Sequence, residues 1–233
     1  MAYAYVASSS AGNASGGSVA IGKPTGTLDG HIAVVGAYLE SDTNSWASIG
    51  SGFTLLASQV NTGLFRLDFW YKWCSGEPSS WTWTPTSNNW RTIVCASYSG
   101  GGGSGDPYDI HGGSQGDGVN PNTNQTAPSV TTTTADDLLV FLYGNFSGNN
   151  VTSVTGAASN LRISSGGLTI ADANRASAGA TGTTAPNGGP GTEDYAAMHI
   201  ALLLTPGGGV TVQPIFKRYG GIVGAAPPRG GVW

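Results

Sequence analysis

Leu64-Phe65-Arg66-Leu67-Asp68-Phe69-Trp70-Tyr71-Lys72-Trp73-Cys74 repeats its apolar residues with a period of two. Phe65, Leu67, Phe69, Tyr71 and Trp73 share one face of an extended chain, and Arg66, Asp68 and Lys72 point the other way. A segment built this way is a strand that buries its aromatic face. Outward from it, short runs rich in Val, Ile, Thr, Tyr, Phe and Trp recur between clusters of Gly, Asn, Ser and Pro, and helical periodicity is nearly absent. The pattern predicts strands at 3–8, 18–22, 31–39, 54–59, 64–74, 80–84 and 91–99. After a long loop over 100–128 it predicts more at 129–133, 138–145, 161–164, 168–174 and 196–204.

The two halves echo each other. Thr27-Leu28-Asp29-Gly30-His31-Ile32-Ala33-Val34-Val35 aligns with Thr134-Ala135-Asp136-Asp137-Leu138-Leu139-Val140-Phe141-Leu142. Ser18-Val19 and Ser129-Val130 precede the two copies, and an apolar strand closes each half. Each copy reads as a turn whose Asp bonds backbone N–H groups before a buried strand. Neither unit can cover a hydrophobic face alone, so the expectation is an all-β fold: a two-sheet β-sandwich whose halves interleave.

Composition narrows the function. Only 9% of the 233 residues are charged, against roughly 25% in ordinary soluble domains, and 38 are glycine. A surface of small polar side chains loses little entropy when buried against a neighbour, which suits an assembly subunit. Residues up to Asp194 carry a net −7, whereas those beyond it, with Lys217, Arg218 and Arg229, carry +3. No basic stripe suited to nucleic acid is present. No apolar run approaches the roughly 18 residues of a membrane span. Residues 1–12 lack the basic start and apolar core of a secretory signal, so the expected product is made in the cytoplasm. Cys74 and Cys95 lack metal-ligand spacing and lie in apolar strands, so two buried free thiols are expected over a single bridge.

Several stretches also resemble a known family. They are Gly52–Gln59 (GFTLLASQ), Leu67–Thr84 (LDFWYKWCSGEPSSWTWT), Ile93–Gly100 (IVCASYSG), Asp106–Ile110 (DPYDI), Thr126–Val140 (TAPSVTTTTADDLLV) and Asp194–Pro206 (DYAAMHIALLLTP). Together they resemble β-sandwich domains of phage tail or virion proteins, also found in large bacterial surface proteins. The resemblance implies a jelly-roll-like sandwich and a virion or surface role, with no shared catalytic residues. The Gly100–Gly105 insertion and the C-terminal tail depart from the family pattern.

That tail follows a glycine joint at Gly207–Gly209, dividing the chain into a sandwich domain (1–206) and an extended C-terminal arm (207–233). Phe216, Tyr219, Ile222 and Trp233 are too apolar for an idle linker, and Lys217, Arg218 and Arg229 add positive charge. These seven residues are the expected contacts to another subunit; folding back on the arm's own sandwich, or disorder, are the alternatives.

The motifs that mimic chemistry fail on context. Gly112-Gly113-Ser114-Gln115-Gly116 matches a nucleophile elbow, which requires a strand-to-helix turn with a base nearby. Gly100, Gly102 and Gly105 mimic a dinucleotide fingerprint without a βαβ unit. His31, His111 and His199 are scattered, and Asp106, Asp109 and Asp117 read as turn residues rather than calcium ligands. Trp46, Trp81, Trp90 and Tyr108 are candidates for a glycan platform, since a flat ring can cover the apolar face of a sugar. The sequence thus leads to a non-enzymatic virion structural protein without cofactor: a minor tail or tail-tip component, or a head decoration protein. Its expected partners are other virion subunits and copies of itself. A carbohydrate-binding adhesion module meeting a host-surface glycan is the alternative.

Overall fold

A computed structural model describes residues 2–13, 17–116, 125–188 and 193–204. The described chain is all-β. The first half supplies β1 (Ala4–Asn13), β2 (Val19–Gly22), β3 (Ile32–Leu39), β4 (Trp46–Ser48), β5 (Thr54–Asn61), β6 (Phe65–Trp73), β7 (Ser80–Pro85) and β8 (Arg91–Ser99). The second supplies β9 (Tyr108–Gly116), β10 (Thr131–Thr132), β11 (Asp137–Asn145), β12 (Ser153–Gly156), β13 (Asn160–Ser165), β14 (Leu168–Arg175), β15 (Gly179–Ala180), β16 (Thr184–Asn187) and β17 (Tyr195–Leu202).

The halves do not interleave. One five-stranded sheet, ordered β1-β8-β3-β6-β5, is drawn wholly from the first half, and its counterpart, β13-β14-β11-β17-β9, wholly from the second. The second order, read backwards, repeats the first: β9, β17, β11, β14 and β13 stand where β1, β8, β3, β6 and β5 stand. The repeat extends to the irregularities. A bulge at Val6 in β1 recurs at Asp109 in β9, and one at Leu56 in β5 recurs at Arg162 in β13.

The two five-stranded sheets pack face to face. Ile32, Val34, Leu67, Phe69, Val94 and Ala96 of the first sheet share one core with Leu138, Val140, Leu142, Ile170, Met198 and Ile200 of the second. Side chains alternate across each sheet, so β3 and β11 are apolar on both faces and need a second cover. In the first half the β2-β7-β4 sheet provides it, enclosing Ala33, Val35, Ala37, Phe53, Trp83 and Cys95. In the second, the β10-β15 and β12-β16 ribbons and their loops cover Leu139, Phe141, Tyr143 and Ala171. The sandwich is therefore doubled: a shared central core with an outer core on each side.

The structural repeat also corrects the sequence alignment by one residue. Gly36 pairs with Val94 and Phe69, and Leu142 pairs with Met198 and Ile170. These pairings make Gly36 the counterpart of Leu142, and Gly30 that of Asp136. Both turn residues have positive φ, 82° and 65°. Matching Asp29 with Asp136 would have put inward residues of one strand opposite outward residues of the other.

Two charged ties hold the layers. Arg162 forks onto Asp172 at 2.6 and 2.9 Å and lies 4.4 Å above the Tyr5 ring, while the Tyr98 hydroxyl donates to Asp172 at 2.8 Å from the opposite sheet. On the outer face, Arg66 forks onto buried Asp68 at 2.9 and 2.8 Å, and Trp46 Nε1 donates to the same carboxylate at 3.0 Å. The predicted 100–128 loop is only part loop, because β9 within it forms the edge of the second sheet. Residues 207–233, including Phe216, Lys217, Arg218, Tyr219, Ile222, Arg229 and Trp233, lie outside the described residues, as does Asp117.

Candidate functional site

The reactive side chains singled out in the sequence are engaged within the fold. Ser114 sits within β9, opposite Ala197, on a strand rather than at a strand-to-helix turn, and donates to the Thr126 carbonyl at 2.5 Å. His199 is fully buried on β17. Its Nδ1 donates to the Pro128 carbonyl at 2.8 Å, so Nε2 accepts from the Thr184 hydroxyl at 2.7 Å, and Thr184 itself accepts from the Ala158 N–H. Burial holds this imidazole neutral, with a pKa pulled down to about 4. His31 Nδ1 accepts from the Leu28 N–H, and His111 Nδ1 pairs with the Tyr108 hydroxyl. The three histidines lie on three different strands or turns.

Asp106 accepts from the Tyr108 N–H, a turn contact, and Asp109 caps the Thr133 N–H and hydroxyl. Asp109 also faces the buried Asp137, whose carboxyl is raised to about 6 by burial and by its acidic neighbours. Among the described residues no group of three or more His, Cys, Asp and Glu converges as a cation site. Cys74 and Cys95 are free and buried. Burial, then the Glu77 charge, pushes Cys74 up to about 11, and burial raises Cys95 as well, so both stay thiols.

The aromatic candidates separate. Trp81 is buried edge-on against Phe53 in the outer core, and Trp46, half-buried, packs edge-on against Trp83. Tyr108 is half-buried on the β9 edge. Trp90, 42% exposed, stands apart from all three.

Trp90 instead borders a cleft of about 150 Å³ at one end of the sandwich, where the two halves meet. Tyr38 and Glu40 come from the end of β3, Trp90 from the approach to β8, Asn145 to Gly148 from the end of β11, and Gly166 from the β13–β14 turn. The internal repeat builds its rim. The Glu40 N–H donates to the Trp90 carbonyl at 2.9 Å, and at the counterpart positions the Phe146 N–H donates to the Asp194 carbonyl at 3.0 Å. Each half thus brings one aromatic and one carboxylate residue to the junction. Phe146, like Trp90, is exposed, at 40%.

Asn145 makes the floor rigid: its Oδ1 accepts from Ser147 and from the Asn149 N–H, and its Nδ2 donates to the Asn149 and Gly167 carbonyls. The Tyr38 phenol lies beside it, raised above its ordinary value by burial and by the Glu40 and Asp194 charges. Among the described residues no cationic side chain pairs with Glu40. Glu40, Asn145 and Phe146 were missed from sequence because their meeting depends on how the two sheets dock. The only signal was the repeat, read in the correct register.

No protein-family model matches the chain, and neither a curated protein nor a solved structure is similar to it.

Proposed function

We propose that this chain is a non-enzymatic structural subunit of a phage particle, a minor tail or tail-tip component or a head decoration protein, made in the host cytoplasm and carried in the virion. The observation that supports this best is the use of its chemistry-bearing groups. Asp68, Asp172, His199 and Ser114 are held by partners inside the fold, as ties between strands and layers. Catalysis needs such groups aimed at a shared reacting atom, with a base within hydrogen-bond reach of a nucleophile. The sparse charge and the resemblance to phage virion domains point the same way. Fold alone would not, because one scaffold hosts many functions.

In finer topology, we read each half as a jelly roll. β1-β8-β3-β6 facing β2-β7-β4 has that pairing, with β5 joined to β6. Assembly with neighbouring subunits runs through the arm, where Phe216, Tyr219, Ile222 and Trp233 supply apolar contacts and Lys217, Arg218 and Arg229 meet the acidic sandwich of a neighbour. Deleting residues 210–233 tests this. The expected product is a folded, soluble sandwich that no longer enters particles; normal incorporation, or outright unfolding, contradicts the assignment.

One observation favours adhesion as a second reading. The exposed Trp90 and Phe146 flank an open cleft that a ligand on a host surface could enter. Of the sugar candidates Trp46, Trp81, Trp90 and Tyr108, Trp90 is the one that lines this cleft.

A further inference from the structure

The cleft between the halves has a definite chemical character. Its rim holds two exposed aromatic residues from unrelated parts of the chain, Trp90 and Phe146, which do not stack on each other. One exposed apolar side chain is ordinary, but two aromatic rings at one mouth make a small wetted apolar surface. Glu40 lines the same cleft, and Asp194, outside the lining, accepts from the Phe146 N–H through its carbonyl and acts electrostatically on the Tyr38 phenol. Among the described residues the lining contains no Lys, Arg or His.

That combination selects a ligand. Among the described lining residues, anionic sugars and phosphates meet the Glu40 carboxylate and no cationic side chain, so they are disfavoured. Neutral sugars gain stacking on Trp90, but the amide best placed to read their hydroxyls, Asn145, is already saturated by its own loop. A positive charge on an apolar body suits what is present: aromatic faces attract cations through the ring quadrupole, and the Glu40 carboxylate adds a direct charge pairing. The volume also limits size. At about 150 Å³ the cleft falls below the roughly 300–1,000 Å³ of sites for drug-sized ligands, leaving room for one head group or one ring.

We infer that the cleft lined by Glu40, Trp90 and Phe146 binds a small organic ammonium group, of the kind carried by quaternary ammonium head groups and by unacetylated amino sugars on cell surfaces. This site does not depend on the virion assignment; a bacterial surface protein would use it equally.

The test is calorimetric titration of the full chain with choline chloride, with D-glucosamine and with D-glucose, each at low and at high sodium chloride. The two cations separate quaternary ammonium from amino sugar as the source, and glucose reports stacking without charge. One or both cations should bind, more weakly as salt rises because the Glu40 side chain is partly exposed to solvent. Glu40→Gln should lower that affinity about tenfold, and Trp90→Ala should abolish it. Both positions lie at the cleft mouth, and an unchanged melting temperature confirms that the variants fold. Binding of glucose as tight as that of either cation, equal affinity in Glu40→Gln, or no heat with any cation would each overturn the inference.

Discussion

Gly36 of β3 lies directly beneath Leu142 of β11, and the two are counterparts in the internal repeat. Equivalent positions meet where the approximate two-fold axis crosses the central core. One must be small for the other to be large, so the repeat is symmetric in backbone and complementary in side chains. A Cβ at Gly36 would overlap the Leu142 methyl group and press on Val94.

Gly36→Ala should therefore destabilise the fold by about 1–3 kcal/mol through overpacking. Gly22→Ala, where the added carbon meets open space, should be near neutral. Leu142→Ala alone should cost about 2–5 kcal/mol as a cavity. The double variant should cost less than the sum, a coupling that denaturant unfolding of the four proteins measures. Strict additivity would mean that the two sheets do not meet at this point.

The Arg162–Asp172–Tyr98 tie crosses the central core. Asp172→Ala leaves a mostly buried guanidinium and a buried phenol without their shared acceptor. The expected loss is about 2–3 kcal/mol, below the figure for a fully buried pair because Arg162 is partly exposed. Removing Arg162 as well should recover part of it. A loss under about 0.5 kcal/mol would class the contact with ordinary surface pairs.

His199 and Asp137 give the fold opposing pH dependences. The folded imidazole, at about 4 against an ordinary 6.5, keeps its contribution above pH 6.5 and loses it as pH falls toward 4. The Asp137 carboxyl, raised from 3.8 to about 6, contributes most below pH 4 and loses that contribution as pH rises through 6. His199→Gln should remove the acid loss, worth on the order of 3 kcal/mol. Asp137→Asn should stabilise the protein at pH 7 more than at pH 4. Urea titrations at several pH values check both signs, and a His199→Gln variant with the parental acid slope would contradict the first.

Much of the fold was legible from local pattern. The strand around Phe65–Trp73 appears where alternation put it, with Phe65, Leu67 and Phe69 fully buried. The strands that escaped notice lack that signal. Gly112, Gly113 and Gly116 leave β9 without an apolar stripe, because it is an edge strand whose backbone presses against Val130, Gln59 and Tyr195. The repeat was visible in Thr27–Val35 and Thr134–Leu142, but similar residues such as Asp29 and Asp136 drew the alignment one position out. Backbone pairing, not identity, fixes it. The cleft was the least legible part, since Trp90 carries no mark that distinguishes it from the buried Trp81 until Glu40 and Phe146 are seen across from it.

The central claim is that this chain is a built-in part of a phage particle, and protein mass spectrometry of gradient-purified particles tests it most directly. The account predicts the intact chain in the particles in several copies each, retained through high-salt washing. Its presence in the infected-cell lysate together with its absence from purified particles would contradict the account.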